Sequence, residues 1–340
     1  MRVFSGVQPT GALHLGTLIG ALAPWVREQA RHENLFCIVD LHALTIPESV
    51  HPDRLHATVR DVAALYLASG IDPDHSTIFV QSQVPAHAEL AWVLTCVTPL
   101  GWLERMTQFK SKSGASGHVG AGLLTYPVLQ AADILLHDTD LVPVGEDQRQ
   151  HVELTRDIAQ RFNHLFGETF VVPTAVIPSA GARVMGFDDP STKMSKSVAA
   201  TKTGHAIGLL DPPDVIRRTV MRAVTDTGRE TRFDHASPGI LNLLLIHEAL
   251  SREPRAVIEA RFEGRGYGEL KAAVADQVIA TLAPIQQRFT ELRADPEALT
   301  RMLDDGAERV RPRARATMDR VRRAVGLSIP PSPRTEGNGA

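Results

Sequence analysis

Over its first two hundred residues the chain alternates short apolar runs with amphipathic helical patterns, and after about residue 205 the strand-like runs stop. That change of pattern constrains the fold more than any other feature. Alternating strands and helices build βαβ units around a parallel sheet, and a helix-only stretch must pack beside them. The runs 3–7, 35–40, 77–81 and 141–144 read as strands, and 18–31, 52–69, 88–96, 127–136 and 148–162 read as helices. Downstream, 214–224, 239–251, 267–292, 296–304 and 307–325 read as helices, with kinks expected at Pro284 and Pro312. The expected class is therefore α/β: a Rossmann-type parallel-sheet nucleotide-binding domain over residues 1–200, then an all-helical region. The helical part divides into 201–293 and a basic pair of helices over 294–327. Residues 328–340, with Pro330, Pro331 and Pro333, read as a disordered tail.

Composition narrows the class. A chain of 340 residues with 43% hydrophobic side chains and a net charge of −3 has ample material for a core. Two cysteines, Cys37 and Cys96, exclude a disulfide framework and any four-cysteine metal site. No apolar run approaches the roughly 20 residues needed to span a bilayer, and the stretch from Ile240 to Ile246 is broken by Asn242. The N-terminus reads as a strand and not as a signal peptide, so a cytoplasmic protein is expected. Lysine occurs only six times against thirty arginines, and four of the six fall in two short segments, Lys110/Lys112 and Lys193/Lys196. Lysine retained in so arginine-rich a chain marks places where a compact ammonium charge is wanted instead of a planar fork.

Two segments carry chemistry. The first strand runs into Gly6-Val7-Gln8-Pro9-Thr10-Gly11-Ala12-Leu13-His14-Leu15-Gly16-Thr17 and then an apolar helix. A glycine-bearing turn that opens a helix directs backbone N–H groups and the positive helix end toward a phosphate. Far downstream, Lys193-Met194-Ser195-Lys196-Ser197 places two ammonium groups and two hydroxyls where a pyrophosphate leaving group could be met.

These two segments, taken in order, resemble the paired signatures of the class I aminoacyl-tRNA synthetases, the HIGH-type turn and the KMSKS loop. The likeness is closest to the bacterial tryptophanyl branch and runs from Val3 to about Gly326. It includes Cys37-Ile38-Val39-Asp40-Leu41-His42-Ala43, the stretch from Glu104 to Lys110, Gly122-Leu123-Leu124-Thr125-Tyr126-Pro127, Ala131-Ala132-Asp133-Ile134-Leu135-Leu136 and Val142-Pro143-Val144-Gly145-Glu146-Asp147-Gln148. Thr17 stands where the signature has a second histidine, Gln130 where many bacterial relatives have methionine, and Val198 onward where relatives often continue Asp-Pro-Asn.

The resemblance implies ATP, with Mg2+ bound to it, L-tryptophan and tRNA(Trp) as substrates, a homodimer, and an anticodon-recognition role for 201–293. It implies that His14, Lys112, Lys193 and Lys196 act on the phosphates. The nucleotide would also meet Gln8, Pro9, Thr10, Gly16, Thr17, Gly145, Glu146, Asp147, Val184, Met194, Ser195 and Ser197. Tryptophan would meet Asp133, Tyr126, Gln130, Gln148, His42, Phe4, Gly6, Val142 and Val144. No protein-held metal is expected. Spacing gives independent support for part of this. Tyr126, Gln130 and Asp133 share one helix face, and Asp133 sits in so apolar a neighbourhood that it must have a partner. Under the resemblance that partner is the indole N–H; an arginine of the same fold is the plainer alternative. His42 falls just beyond a strand end, the edge where open α/β sheets bind ligands.

Between Arg309 and Arg323 seven arginines face one acid, Asp319, which fits phosphate-backbone binding or a solvated helix. The rival readings are a tyrosyl-tRNA synthetase, a non-aminoacylating nucleotidyltransferase, and a synthetase-like RNA-binding paralogue without catalysis.

Overall fold

The computed structural model describes residues 1–9, 13–107, 120–177, 183–199 and 201–327, and only the backbone of Ser49, Asp147, Lys196 and Ser197. Strands β1 (Arg2–Val7), β2 (Glu33–Ile38), β3 (Ser76–Val80), β4 (Leu141–Pro143) and β5 (Thr174–Val176) form one parallel sheet in the order β3-β2-β1-β4-β5. The chain moves outward from β1 to β3, then returns to place β4 and β5 on the other side. The order thus reverses between β1 and β4, the crevice where such sheets take ligands. Apolar side chains emerge on both faces, as a sheet covered on both sides requires. Phe36, Ile38, Ile78 and Val80 enter one core, and Leu35, Cys37, Val39 and Phe79 enter the other.

The helix after β1 is counted as one element, α1. It opens at Leu15–Thr17, passes a π turn at Leu18–Leu22, continues over Ala23–Glu28 and closes with a 3₁₀ turn, Gln29–Arg31. α2 (Pro52–Ala68), α3 (Ala86–Val97), α4 (Ala121–Leu135) and α5 (Arg149–Phe166) flank the sheet. α6 (Pro213–Met221), α7 (Pro238–Ser251), α8 (Arg255–Phe262), α9 (Tyr267–Arg293) and α10 (Pro296–Ala324) make up the helical half. Among the described residues, no helix is long and apolar enough to cross a membrane.

Several expectations are corrected. α4 begins six residues before Pro127, which lies inside it and not at its first turn. Pro284 lies inside the continuous α9 and Pro312 inside the continuous α10, the two positions where kinks are expected. The expected pair 296–304 and 307–325 is one helix, because Gly306 does not break it. Gly306 is instead the point of closest approach, where an added Cβ would lie 1.8 Å from the carbonyl oxygen of Ile78. Only glycine lets α10 press its backbone against β3. β5 and α8 were not legible in the sequence. The tail at 328–340 lies outside the described residues.

Most arginine heads of the last helix meet groups of the same chain. Arg309 donates to the carbonyl of Pro73 at 3.0 Å, and Arg311 to that of Gln83 at 3.1 Å. Arg313 pairs with Glu33, Arg320 with Asp138, and Arg322 takes both carboxylate oxygens of Glu89 at 2.8 and 2.6 Å. Five of the seven heads therefore fasten α10 to the sheet domain. Arg315 and Arg323 are exposed and carry no such pair among the described residues.

Candidate active site

The two signature segments meet at the sheet edge. His14 caps the first turn of α1, its Nδ1 accepting from the Thr17 N–H at 3.3 Å, so the neutral ring carries its hydrogen on Nε2. A Cβ on Gly16 would lie 3.1 Å from His14 Nδ1 and 3.5 Å from Met194 Sδ, so Gly16 sits between the histidine and the downstream loop. Met194 is buried with Leu13, Leu15 and Val184 in one core cluster. The segment beyond the loop also returns to α1: Leu15 N–H donates to Ile207 O at 2.8 Å, and Leu209 N–H to Leu13 O at 2.9 Å. What reads in sequence as a linker between halves is part of the site.

The loop is rooted by a short hairpin. Gly186 N–H donates to Thr192 O at 2.8 Å, Met194 N–H to Val184 O at 3.1 Å, and Met185 faces Lys193 in an antiparallel bridge. Asp189 closes the turn by accepting from Ser191 and Thr192, which hold its carboxyl down at about 2. Two buried polar residues unforeseen in the sequence reading tie this hairpin down. His205 lies between Asp188 Oδ1, 2.6 Å from its Nδ1, and the carbonyl of Lys193, 3.2 Å from its Nε2. Asn242, on α7, accepts from the Met185 N–H at 2.9 Å and donates to the Met185 carbonyl at 3.1 Å. The residue that breaks the apolar run of α7 is thus the one that holds the root of the cationic loop.

The amino-acid side of the site centres on Asp133, 1% exposed near the end of α4. Its partners are neither an arginine nor a lone substrate group. Oδ1 accepts from Gln81 Nε2 and His87 Nδ1, both at 2.7 Å, and Oδ2 accepts from His42 Nε2 at 2.9 Å. Burial alone would raise the carboxyl, but the hydrogen bonds donated by His42 and His87 outweigh it and bring the group to about 2. A carboxylate offers about four lone-pair positions. Among the described residues three are occupied, and the remaining one belongs to Oδ2.

Around it, His42 meets the ring of Tyr126 edge-on at 6.4 Å, and Gln8 Nε2 donates to the His42 carbonyl at 3.5 Å. The Tyr126 hydroxyl, pushed up to about 12 by burial, is 2.7 Å from His151 Nε2. Phe4, Val39, Ile134 and Val142 are buried in a single core cluster with Val144 packed against it, and Phe4 stacks on His137 at 5.9 Å. Gly6 is the next-to-last residue of β1, where an added Cβ would press Val39 at 3.0 Å. Gln130 is half-buried, and its side chain has no hydrogen-bond partner among the described residues.

Beyond β4, exposed Gly145 precedes a 3₁₀ turn, Glu146–Gln148, that leads into α5, and Glu146 pairs with Arg149 at 3.3 Å. Thr17 closes the first turn of α1, Gln148 ends the 3₁₀ turn after β4, and Lys193, at the bridge to Met185, is exposed. Thr10, Lys110 and Lys112 lie outside the described residues, as do the side chains of Asp147, Lys196 and Ser197. Gln81 could have been anticipated, since it follows a parallel strand as His42 does. His87, His137 and His151 could not, because a histidine on a helix face gives no sign of the partner that tertiary packing will bring.

A parallel sheet with a reversed strand order, a glycine turn opening α1 and a cationic loop folded onto that turn define a nucleotide-binding α/β protein with a second, helical half. The model of the class I tRNA synthetases of W and Y matches residues 1–283. The chain belongs to that family. It is 52% identical to the tryptophan–tRNA ligase of Thermosynechococcus vestitus over 96% of its own length and all of the relative's. Among solved structures it is similar to tryptophanyl-tRNA synthetase from Mycoplasma pneumoniae (33% identity, TM-score 0.89, 96% of this chain and 98% of that one). It is also similar to the Campylobacter jejuni enzyme complexed with ADP and tryptophan (35% identity, TM-score 0.82, 96% and 100%).

Proposed function

We propose that this chain is a tryptophan–tRNA ligase: it activates L-tryptophan with ATP to tryptophanyl-adenylate and transfers it to tRNA(Trp), releasing AMP and diphosphate. The observation that carries the reading is the meeting of two loops and one acceptor at a single sheet edge. His14, Gly16 and Met194 lie against one another there, and Asp133 keeps one acceptor position beside His42. In the first step the tryptophan carboxylate attacks the α-phosphorus of ATP and pyrophosphate leaves. In the second, a hydroxyl of the tRNA terminal ribose attacks the acyl carbon and AMP leaves.

No protein nucleophile is needed. His14, Lys112, Lys193 and Lys196 are assigned to the phosphate charge that develops as pyrophosphate departs, so positioning and fixed charge carry the rate. Gln8, Pro9, Thr10, Gly16, Thr17, Gly145, Glu146, Asp147, Val184, Met194, Ser195 and Ser197 are assigned to the nucleotide. Asp133, with Tyr126, Gln130, Gln148, His42, Phe4, Gly6, Val142 and Val144, is assigned to tryptophan. Mg2+ is assigned to the ATP it accompanies.

The choice of tryptophan over tyrosine leans on the relatives, since the family model spans both. Residues 201–293 are assigned to anticodon recognition, and a cytoplasmic homodimer is carried over from the resemblance. Amino-acid-dependent ATP–pyrophosphate exchange, run across the twenty amino acids, tests the whole reading. Tryptophan should stimulate it best; strongest stimulation by tyrosine would overturn the assignment.

A further inference from the structure

The carboxylate assigned to the indole N–H is oriented by a chain of groups behind it. His87, on α3, is fully buried and donates from Nδ1 to Asp133 Oδ1 at 2.7 Å. An ionised carboxylate only accepts, so Nδ1 must carry the hydrogen. On the far side of the ring, His87 Nε2 lies 3.3 Å from His137 Nε2. His137 follows α4, is fully buried, and is held between Phe4 at 5.9 Å and Phe79 at 5.5 Å. Its Nδ1 has no hydrogen-bond partner among the described residues. A buried N–H without an acceptor is costlier than an unused lone pair, so the hydrogen sits on Nε2 and is donated to His87. Burial holds His137 well below the ordinary imidazole value and keeps the ring neutral.

From this geometry we infer that His87 and His137 are positioning residues for amino-acid selection: His137 fixes the tautomer of His87, and His87 fixes the orientation of Asp133. With Gln81 and His87 both on Oδ1, that oxygen is saturated. The open acceptor position is then forced onto Oδ2, beside His42. If His87 presented a lone pair at Nδ1 instead, it would repel Oδ1 and free the carboxylate to turn. The inference rests on the proposed role of Asp133 as acceptor of the indole N–H.

The test is the ratio of kcat/KM for tryptophan to that for benzothienylalanine, in which sulfur replaces the indole N–H, measured by pyrophosphate exchange on the full chain. A general folding or loop defect lowers both substrates together and leaves the ratio alone. Asp133→Ala should bring the ratio close to one; an unchanged ratio there overturns the acceptor reading itself. His87→Leu should lower the ratio about ten- to hundredfold, the range expected for loss of one charge-assisted hydrogen bond. His87→Asn, whose amide can occupy the Nδ1 position, should restore most of it. His137→Phe keeps the packing against Phe4 and Phe79 while removing the hydrogen, and should lower the ratio about tenfold; it remains informative if His87→Leu does not fold. A collapsed ratio in Asp133→Ala with wild-type ratios in His87→Leu and His137→Phe would overturn the inference and leave the acceptor reading standing.

Discussion

Asp133 shows how a residue can serve specificity and stability through the same contacts. Its carboxyl titrates in the folded chain at about 2, below the ordinary value near 4. A carboxyl depressed on folding contributes stability that is fully present above the unfolded value and is lost as pH falls through the folded one. The contribution, on the order of 2 kcal/mol, should therefore fade between about pH 4 and pH 2. Denaturant unfolding followed through that window should show the acid limb flattened in Asp133→Asn, and an unaltered limb would remove the network from the stability of the fold. Gln130 is the contrasting case. Asp133 takes its hydrogen bonds from Gln81, His87 and His42, so Gln130 does not orient it. Gln130→Met should leave the thermal midpoint unchanged, and any fall in kcat/KM for tryptophan then reports contact with the substrate. A lowered midpoint would show that the amide has a structural partner.

At the scale of elements, α10 is a clasp whose seat depends on one missing side chain. Gly306→Ala would place a methyl 1.8 Å from the Ile78 carbonyl oxygen, a backbone atom that cannot swing aside. It should destabilise the chain by about 3 kcal/mol or more, the upper end for overpacking, as read by urea unfolding. The arginines of α10 then separate into two groups. Replacing Arg320 and Arg322 by glutamine removes pairs with Asp138 and Glu89 and should lower the midpoint modestly, about 0–1 kcal/mol for each half-exposed pair. Replacing Arg315 and Arg323 should leave stability unchanged, and would reduce the salt slope of tRNA binding by about 0.9 per contact if they touch a duplex.

The sequence could not separate these groups, because local charge density is the same whether the acids facing it are phosphates or distant carboxylates of the same chain. It did reveal β1, β2 and β3, whose apolar runs are buried on both faces. It hid β5, a three-residue strand just after Pro173. Both signature loops were legible because their chemistry requires particular residues in a fixed order. The groups behind Asp133 were not, since Gln81, His87 and His137 come from different elements and acquire meaning only by meeting.

For the molecule as a whole, the sheet domain and the helical half communicate through the root of the cationic loop. Asn242 belongs to α7 and Met185 to the hairpin that carries Lys193, and the amide of Asn242 satisfies both backbone polar groups of Met185. Phe187 extends the connection: its N–H donates to His205 O at 3.1 Å, and its carbonyl accepts from Val224 N–H at 2.8 Å. A movement of α7 must therefore either carry the hairpin with it or break two partly buried hydrogen bonds at once. Each group left unpaired there costs about 1–3 kcal/mol. Asn242→Leu, close in volume and apolar like its neighbours, strands both groups without opening a cavity. It should lower the maximal rate of pyrophosphate exchange more than tenfold while changing the KM for tryptophan less than about threefold, because Asp133 and its partners lie on the other core of the sheet. Asn242→Asp keeps the acceptor for the Met185 N–H and turns the donor toward the carbonyl into a second acceptor, so it should be no better than leucine. Steady-state exchange kinetics on the two variants decide the matter: a wild-type maximal rate in Asn242→Leu would mean that the loop keeps its geometry without the helical half, and that α7 supports the site only as packing.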